Sequence, residues 1–415
     1  MADVSSVTQS PPAKRRKEPS PTTVASLDVD TLLEILLRLP SLATLIRAAL
    51  TCRAWRRAVA SSPGFRRRFR EPHPAPLLGL FFEPPGVAQD PALPAFPSFV
   101  PARRRDLDLA AALRGGDFFL TSLQVHPDKD HCWDVLDSRG GYVLLENGDQ
   151  QTLAVLNPLA PRSPRFFGLG NKDAFEGHRG YHFELNPFLL CSGEDTQSFK
   201  VLLLVHDESR VRVTVFSSGT GEWSIGPWVD VPQRPRCKEF HLNTKMQANG
   251  FMYWFCSNMR YMVTLDAATM EFSVEKLPRL LRYLSRSFVL GEMNNGTRCI
   301  VYTVDLTVGV LLRRTDIDGI EKWMQDRTIP LDKQLDRELG KLKDNYDELQ
   351  VVAIRDGFAY LATSKKFHAE AGQNQSWFLS LCLETMELEK LFQRIYDTDV
   401  HPYVMAWPPS LVGNF

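Results

Sequence analysis

The segment VHPDKDHCW is the first place in this sequence where side chains that could bind a metal lie close together. His126, Asp128, Asp130 and His131 carry imidazole and carboxylate groups, which zinc accepts as ligands. A polar loop between two strands explains the same residues without any ion. We therefore predict no metal site here.

Catalytic motifs are missing elsewhere. The sequence has no G-x-S-x-G, H-E-x-x-H, P-loop or Rossmann glycine pattern. Gly168-Leu169-Gly170 lacks the third glycine that a dinucleotide site needs, and Asp316 and Asp318 lack the remaining ligands of a calcium loop. We predict no catalytic residue, no metal and no cofactor, so function should lie in binding.

Composition and charge narrow the class of protein. The chain has 415 residues, of which 44% are hydrophobic and 24% charged, as in ordinary globular proteins. Residues 1–105 hold 16 basic against 8 acidic side chains, and the remainder holds 33 against 41. The acidic C-terminal part argues against nucleic-acid binding. Seven scattered cysteines, without a C-x-x-C pair or a leader, predict free thiols, and no apolar run is long enough to span a membrane.

Residues 1–24 form a basic, Pro-rich tail that we expect to be disordered, because it has too few apolar side chains to offset its ordering entropy. Lys14, Arg15, Arg16 and Lys17 resemble a short nuclear-import signal, although a solvated tail explains them equally well. We predict a cytoplasmic and/or nuclear protein.

Residues 25–70 have helical periodicity. Leu32, Ile35, Leu36 and Leu39 recur at helical spacing before Pro40. Asp30 is the expected N-cap of this first helix and Ser41 that of a second, and the stretch TCRAWRRAVA indicates a third, ended by Pro63-Gly64. Such a small three-helix unit needs a partner or the following domain for stability.

Residues 71–105 contain nine prolines up to residue 101 and read as a linker with a candidate first strand at Leu77–Phe82. From residue 106 to 415, short alternating runs separated by turn residues indicate strands and hairpins. A recurrent pattern of a turn glycine, an aromatic strand, a second strand and a Thr-Met-Glu turn favours a β-propeller of about six or seven blades over an irregular β-sandwich. The pattern occurs in Asn249–Glu271 and Asp356–Glu387, and in part from Arg139.

One segment departs from the β pattern. The apolar residues of LDKQLDRELGKLKDNYDELQ recur every three or four positions, which predicts one inserted amphipathic helix near 331–349. We expect it to pack on the edge of a blade, and a partner-binding helix is the alternative.

The helical unit resembles the F-box family. Three separated clusters match that family's pattern in order and spacing: Glu34-Ile35-Leu36 with Arg38-Leu39-Pro40, then Leu45 with Arg47-Ala48, then Cys52-Arg53-Ala54-Trp55. The early proline of the family is replaced by Asp28. The runs PGFRRRFR, PLLGLFF, LDSRGGYVLL and VLNPLAPR further resemble F-box proteins of grasses with a propeller-like domain.

The resemblance implies a mainly β protein with a small all-α N-terminal F-box. It also implies a non-enzymatic adaptor subunit of a Skp–cullin–F-box ubiquitin ligase, whose β domain recruits an unknown target protein. The alternatives are an F-box scaffold that does not direct degradation and, from another class, a propeller enzyme or glycan binder. The residues expected to bind the Skp-type adaptor are Leu27, Leu32, Ile35, Leu36, Leu39, Pro40, Leu45, Ile46, Cys52 and Trp55.

Overall fold

The computed structural model describes most of the chain. The described residues are 27–83, 96–102, 106–123, 133–148, 150–160, 164–169, 172–191, 198–231, 242–256, 260–283, 288–340, 346–364, 375–395, 399–408 and 411. The tail 1–24, with its basic residues 14–17, lies outside them.

Four short helices open the described chain, where the sequence predicted three. They are α1 (Val29–Leu36), α2 (Leu42–Leu50), α3 (Arg53–Ala60) and α4 (Pro63–Arg70). The third helix ends before Pro63-Gly64, as expected, but a fourth helix that the sequence did not predict begins at Pro63. Ser62 caps α4 by accepting a bond from the Phe65 amide, and Pro63 occupies the first turn, where its missing N–H costs nothing.

The rest of the described chain forms a six-bladed β-propeller, which confirms the fold expected from the sequence repeats. Blade 1 contains β1 (Leu77–Phe82), β2 (Ser98–Pro101) and β24 (Val400–Val404). Blade 2 contains β3 (Asp134–Arg139), β4 (Tyr142–Asn147), β5 (Thr152–Leu156) and β6 (Arg165–Gly168). Blade 3 contains β7 (His182–Cys191), β8 (Phe199–Asp207), β9 (Arg210–Ser217), β10 (Glu222–Ile225) and β11 (Val229–Asp230).

Blades 4 to 6 each have four antiparallel strands. Blade 4 contains β12 (Leu242–Ala248), β13 (Phe251–Cys256), β14 (Tyr261–Asp266) and β15 (Phe272–Lys276). Blade 5 contains β16 (Phe288–Glu292), β17 (Arg298–Val304), β18 (Thr307–Thr315) and β19 (Glu321–Pro330). Blade 6 contains β20 (Glu348–Arg355), β21 (Phe358–Ser364), β22 (Gln375–Cys382) and β23 (Leu388–Ile395). The strands β24, β3, β7, β12, β16 and β20 contact one another in a ring around the central channel.

Blade 1 joins the two ends of the described chain. Its inner strand β24 comes from the C-terminal part and pairs with β1, which follows the helices directly. Both strands found within 71–105, the stretch read as a linker, therefore belong to the propeller itself. The ring of Phe82 meets Phe378 and Phe392 of blade 6 at centroid distances of 5.2 and 6.2 Å, so this blade also seals the ring against the last one.

Tight hairpins explain the sequence repeat. The turns Gly140-Gly141, Asn249-Gly250 and Asp356-Gly357 all have positive φ at both residues, the geometry of a two-residue type I′ hairpin. Each joins an inner strand to the second strand of its blade. Met270 and Met386, the methionines of the Thr-Met-Glu turns, also have positive φ. The repeated letters thus mark the same turns in different blades.

Two further helices lie outside the first four. The helix α5 (Leu107–Arg114), which the sequence did not predict, packs its Leu109 and Leu113 against the core between blades 1 and 2. The inserted helix α6 (Asp332–Leu339) is confirmed but shorter than expected, because Gly340 ends it and Leu349 lies in β20. Gln334 and Lys390 tie it to blade 6. None of the helices in the described part of the chain has the length and apolar composition of a membrane span.

We expect the Phe82→Ala variant to lose about 3–5 kcal/mol of unfolding free energy, because Phe82 is 2% exposed and fills the joint between blades 1 and 6. Urea denaturation followed by tryptophan fluorescence measures the loss. Phe119→Ala is the matched control, since Phe119 is 84% exposed and its removal should change stability by about 0.5 kcal/mol or less. Equal stability of the two variants would contradict a ring closed by blade 1.

Candidate functional site

The first two helices are capped by side chains at their amino ends. Asp28 caps α1, since its Oδ1 accepts a bond of 2.8 Å from the Thr31 amide; the expectation that Asp30 does so was wrong. Asp28 stands where the F-box pattern has proline, so this departure from the pattern supplies the cap of α1. Ser41 caps α2 as predicted, accepting from the Thr44 amide at 3.2 Å.

The four helices share a small apolar core that the C-terminal segment completes. Leu36 and Leu45 are 2% and 0% exposed, and they pack in one cluster with Phe69, Trp407 and Leu411. Trp407 meets Phe69 edge-on at 6.0 Å, and the Arg70 guanidinium lies 5.1 Å from the centre of its ring. The helical unit therefore uses residues from beyond the last propeller strand as part of its own core.

The ten residues expected to contact an adaptor divide into three groups. Three are buried in the helical core, namely Leu32, Leu36 and Leu45. Four are partly exposed, namely Leu27, Leu39, Ile46 and Trp55. Three are exposed, namely Ile35, Pro40 and Cys52. An apolar surface thus remains on the helices, but it includes fewer of the predicted residues than the sequence suggested.

Two exposed apolar side chains on these helices were missed from the sequence. Val29 is 57% and Leu50 is 53% exposed. Leu50 is the last residue of α2 and lies just before Cys52. It follows the apolar stripe Leu42–Ala49, and this position in the sequence could have indicated that it belongs to the exposed apolar surface. Exposed large apolar side chains on such short helices are typical of a surface that another protein covers.

Polar contacts also hold the helices on the propeller. The Nδ2 of Asn294 in blade 5 donates to the Glu71 carbonyl, 3.1 Å away. Arg47 of α2 forms an ion pair with Asp108 of α5. The helices consequently lie over the end of the channel where the inner strands finish.

A buried ionic cluster occupies that end of the channel. Arg139 donates to Glu292 over 3.0 Å, and Arg355 contacts Asp137 at 3.3 Å. Glu292 also accepts a bond of 2.8 Å from the Asn249 amide. These residues stand at or near the carboxyl ends of four inner strands, so the cluster ties four blades together at the axis.

The cluster sets the protonation of its carboxyl groups. Burial opposes ionisation of Glu292, but the neighbouring Arg139 and Arg355 outweigh it and lower the pKa of this carboxyl. The pKa of Asp137 is lowered in the same way, against its burial, by Arg355, Lys245 and Arg139. Burial, with Glu292 nearby, instead raises the pKa of Asp356. The paired carboxylates are therefore anions that hold the blades.

A cavity of about 790 Å³ fills the channel beyond the cluster. At the cluster, its lining includes Asp137 and Arg355. At the far end it includes Glu184 and Asp399, and these two residues are exposed. Lys245 lies on its wall, and the Nζ donates to the carbonyls of Leu136 and Pro187 at 2.9 and 2.6 Å. Burial lowers the pKa of Lys245 to about 8. The cavity therefore opens on the face opposite the helices.

The described residues bring no three metal-liganding side chains together. His126, Asp128, Asp130 and His131, which we considered as metal ligands, lie outside the described residues. None of the described cysteines forms a disulfide; Cys256 and Cys299 are buried and Cys52 is exposed. What the geometry offers is two binding surfaces, one on the helices and one at the channel mouth.

We expect Glu292→Gln to cost about 3–5 kcal/mol of unfolding free energy at pH 7, because it leaves Arg139, whose side chain is only 17% exposed, without its anion. A carboxyl with a lowered native pKa stabilises the fold above its unfolded pKa, near 4.5, and this contribution is lost as the pH falls through the native value. The difference between wild type and variant should therefore shrink below about pH 4.5.

Urea unfolding at a series of pH values tests this expectation. Glu321→Gln is the control, because Glu321 also pairs with an arginine, Arg298, but is 52% exposed. Its replacement should cost about 1 kcal/mol of unfolding free energy or less. A gap between Glu292→Gln and wild type that stays constant down to pH 3 would refute the ionic role of Glu292.

Comparisons with known proteins agree with this architecture. Residues 28–71 match the model of F-box-like domains, and residues 134–411 match the model described as F-box protein AT5G49610-like, beta-propeller. A search of curated proteins finds no match.

Solved structures resemble the chain only loosely. A Lactobacillus plantarum protein is 11% identical, with 66% of this chain and 73% of that chain covered and a TM-score of 0.34. The Cps50 (Swd1) beta-propeller domain of Myceliophteria thermophila is 9% identical, with coverages of 64% and 74% and a TM-score of 0.33. The Nup133 beta-propeller domain of Vanderwaltozyma polyspora is 10% identical, with coverages of 65% and 69% and a TM-score of 0.31.

Similarities of that size carry no functional information, whereas the propeller model covers more than half of the sequence. With its four-helix unit packed on six blades, the chain belongs to the family of F-box proteins with an AT5G49610-like beta-propeller.

Proposed function

We propose that this protein is the target-recognition subunit of a Skp–cullin–F-box ubiquitin ligase. Its helices bind a Skp-type adaptor and through it a cullin scaffold, and its propeller binds a target protein. The observation that carries the proposal is the exposed apolar surface of the helical unit. Ile35, Leu50 and Val29 stay open to solvent on helices whose other large apolar residues are buried in, or partly buried against, a shared core.

Covering that surface supplies the binding energy. Burial of apolar area contributes about 25 cal/mol per Å², so each of these side chains adds on the order of 1 kcal/mol when an adaptor covers the part now exposed. Trp55 is partly exposed, and aromatic side chains at the centre of an interface often dominate its energy. Leu32, Leu36 and Leu45 act indirectly, because they hold the helices that present this surface.

The packing of helices on propeller fits a recruiting role. The Trp407 contact and the bond from Asn294 fix the helical unit over one end of the channel, while the cavity opens at the other end. A target bound at that mouth is held at a defined distance from the adaptor. Holding a target near the conjugating enzyme raises its effective concentration, so this subunit needs no catalytic residue of its own.

The same surfaces also suit an F-box scaffold that binds partners without marking them for degradation. The two roles differ in the fate of the bound protein. Recruitment for degradation requires that the lifetime of a captured protein lengthens when the adaptor surface is removed, whereas a scaffold leaves it unchanged. We propose that the ligase acts in the cytoplasm, the nucleus or both, with residues 14–17 as a candidate import signal.

We expect the double variant Ile35→Ala/Pro40→Ala to bind a purified Skp-type adaptor at least about tenfold more weakly than wild type. Both side chains are exposed, so their truncation removes contact area without opening the helical core. Isothermal titration calorimetry measures the affinity, and thermal unfolding checks that the fold is retained.

The matched control is Ile317→Ala, because Ile317 is fully exposed in the turn between β18 and β19, far along the chain from the helices. It should bind like wild type. The variant Leu36→Ala/Pro40→Ala should also lose affinity, but with a drop in stability, because Leu36 is buried. Wild-type protein that binds no Skp-type adaptor would count against the proposal.

A further inference from the structure

The mouth of the central channel carries a group of carboxylates that none of the observations above explains. We call Asp134, Glu146, Glu184 and Asp399 the acidic rim. Asp134 opens β3 and pairs in register with Glu146 of β4, while Glu184 and Asp399 line the cavity. The rim lies opposite the helices, at the amino ends of the inner strands.

Glu146 and Glu184 give the rim negative charge that no described cation pairs with. Burial together with the nearby Asp134 raises the pKa of Glu146, and the negative charge of Glu146 acts on Glu184 as well. Among the described residues, neither Glu146 nor Glu184 forms an ion pair. Carboxylates placed so close repel one another, and a cation between them relieves that repulsion.

Lys245 supplies one positive charge but does not satisfy the rim. Its ammonium attracts Asp399 and Glu146, yet it donates to the carbonyls of Leu136 and Pro187 on the channel wall. Glu146 and Asp399 therefore share one ammonium whose hydrogen bonds go to the channel wall. The chain after residue 105 also carries a net negative charge, as the rim does.

A second observation points to a ligand with hydrogen-bond donors. Gln247 lines the same cavity and is only 7% exposed, yet within the described ranges its side-chain oxygen Oε1 has no hydrogen-bond partner. A buried acceptor that no donor reaches destabilises the protein, because it has lost its bonds to water. A ligand N–H group that reaches into the cavity would satisfy it.

The cavity walls suit a long aliphatic stem. Phe188, Phe288, Leu290 and Val351 contribute apolar surface between the rim and the ionic cluster. Phe183, outside the cavity wall, follows His182 and precedes Glu184 in β7; it is 41% exposed and packs with Tyr181 at a ring distance of 5.5 Å. Exposed aromatic rings next to carboxylates favour cationic side chains.

We propose that the channel mouth binds a basic segment of the target protein, with one lysine or arginine side chain entering the cavity between the carboxylates of the acidic rim. The side chain's methylene groups lie against the apolar wall, and its N–H groups bond to the rim and reach toward Gln247. This inference rests on the proposed function, because it names the class of target that the propeller recognises.

The test uses the full chain in complex with a purified Skp-type adaptor. The probe is a positional-scanning library of nonapeptides, in which each pool fixes the central residue and randomises the others. Pools fixed with Arg or Lys should bind at least about tenfold more tightly than pools fixed with Glu or norleucine. The preference should fall to nearly equal binding in the double variant Glu184→Gln/Asp399→Asn.

The control Glu222→Gln/Asp318→Asn removes two exposed carboxylates away from the mouth and should keep the preference. Adaptor binding is measured on the same samples, so a failure of the proposed function appears there and not in the peptide result. Equal binding of basic and norleucine pools overturns the inference, as does a preference that survives Glu184→Gln/Asp399→Asn. A preference seen only after deletion of residues 1–26 also overturns it, since the occupant would then be the chain's own basic tail.

Discussion

The closure of the ring by blade 1 is the constraint on which the rest of this structure depends. The pairing of β1 with β24 joins a strand that directly follows the helices to a strand that directly precedes Trp407. One sheet therefore fixes both the segment that leaves the helices and the segment that leads to Trp407. The four short helices are held against the propeller, and Trp407 and Leu411 complete their apolar core. A unit of that size would otherwise bury too little apolar surface to be stable alone.

The two ends of the channel have different physical characters. At the end beneath the helices, arginine and carboxylate side chains from three blades pair with one another, and breaking one pair leaves a largely buried charge without its partner. At the other end, carboxylates face a cavity with too few cations. The first arrangement holds the blades together and the second is suited to a partner, so structural and binding roles occupy opposite ends.

This separation gives the proposed function its geometry. An adaptor on the helices and a target at the channel mouth contact opposite ends of one molecule, so neither competes with the other for surface. The helices contact the propeller through Trp407, Arg70 and Glu71, which leaves Ile35 and Leu50 free to be covered by another protein. Rigid packing between the two parts fixes how a bound target faces the rest of a ligase.

The sequence by itself determined the helical periodicity before Pro40, the strand-rich remainder and the repeated Asn-Gly and Asp-Gly hairpins, because these depend on contacts between near neighbours. The observed number of blades, six, lies within the range expected from the repeat. It missed α4 and α5, whose short amphipathic patterns resemble loop sequence without the surfaces they pack on. Only the tertiary structure decided that Leu36 is sealed while Ile35 is exposed. It also brought Asp137, Glu292 and Arg355, far apart in the chain, to one axis, since closing the ring sets distances that spacing along a chain does not encode.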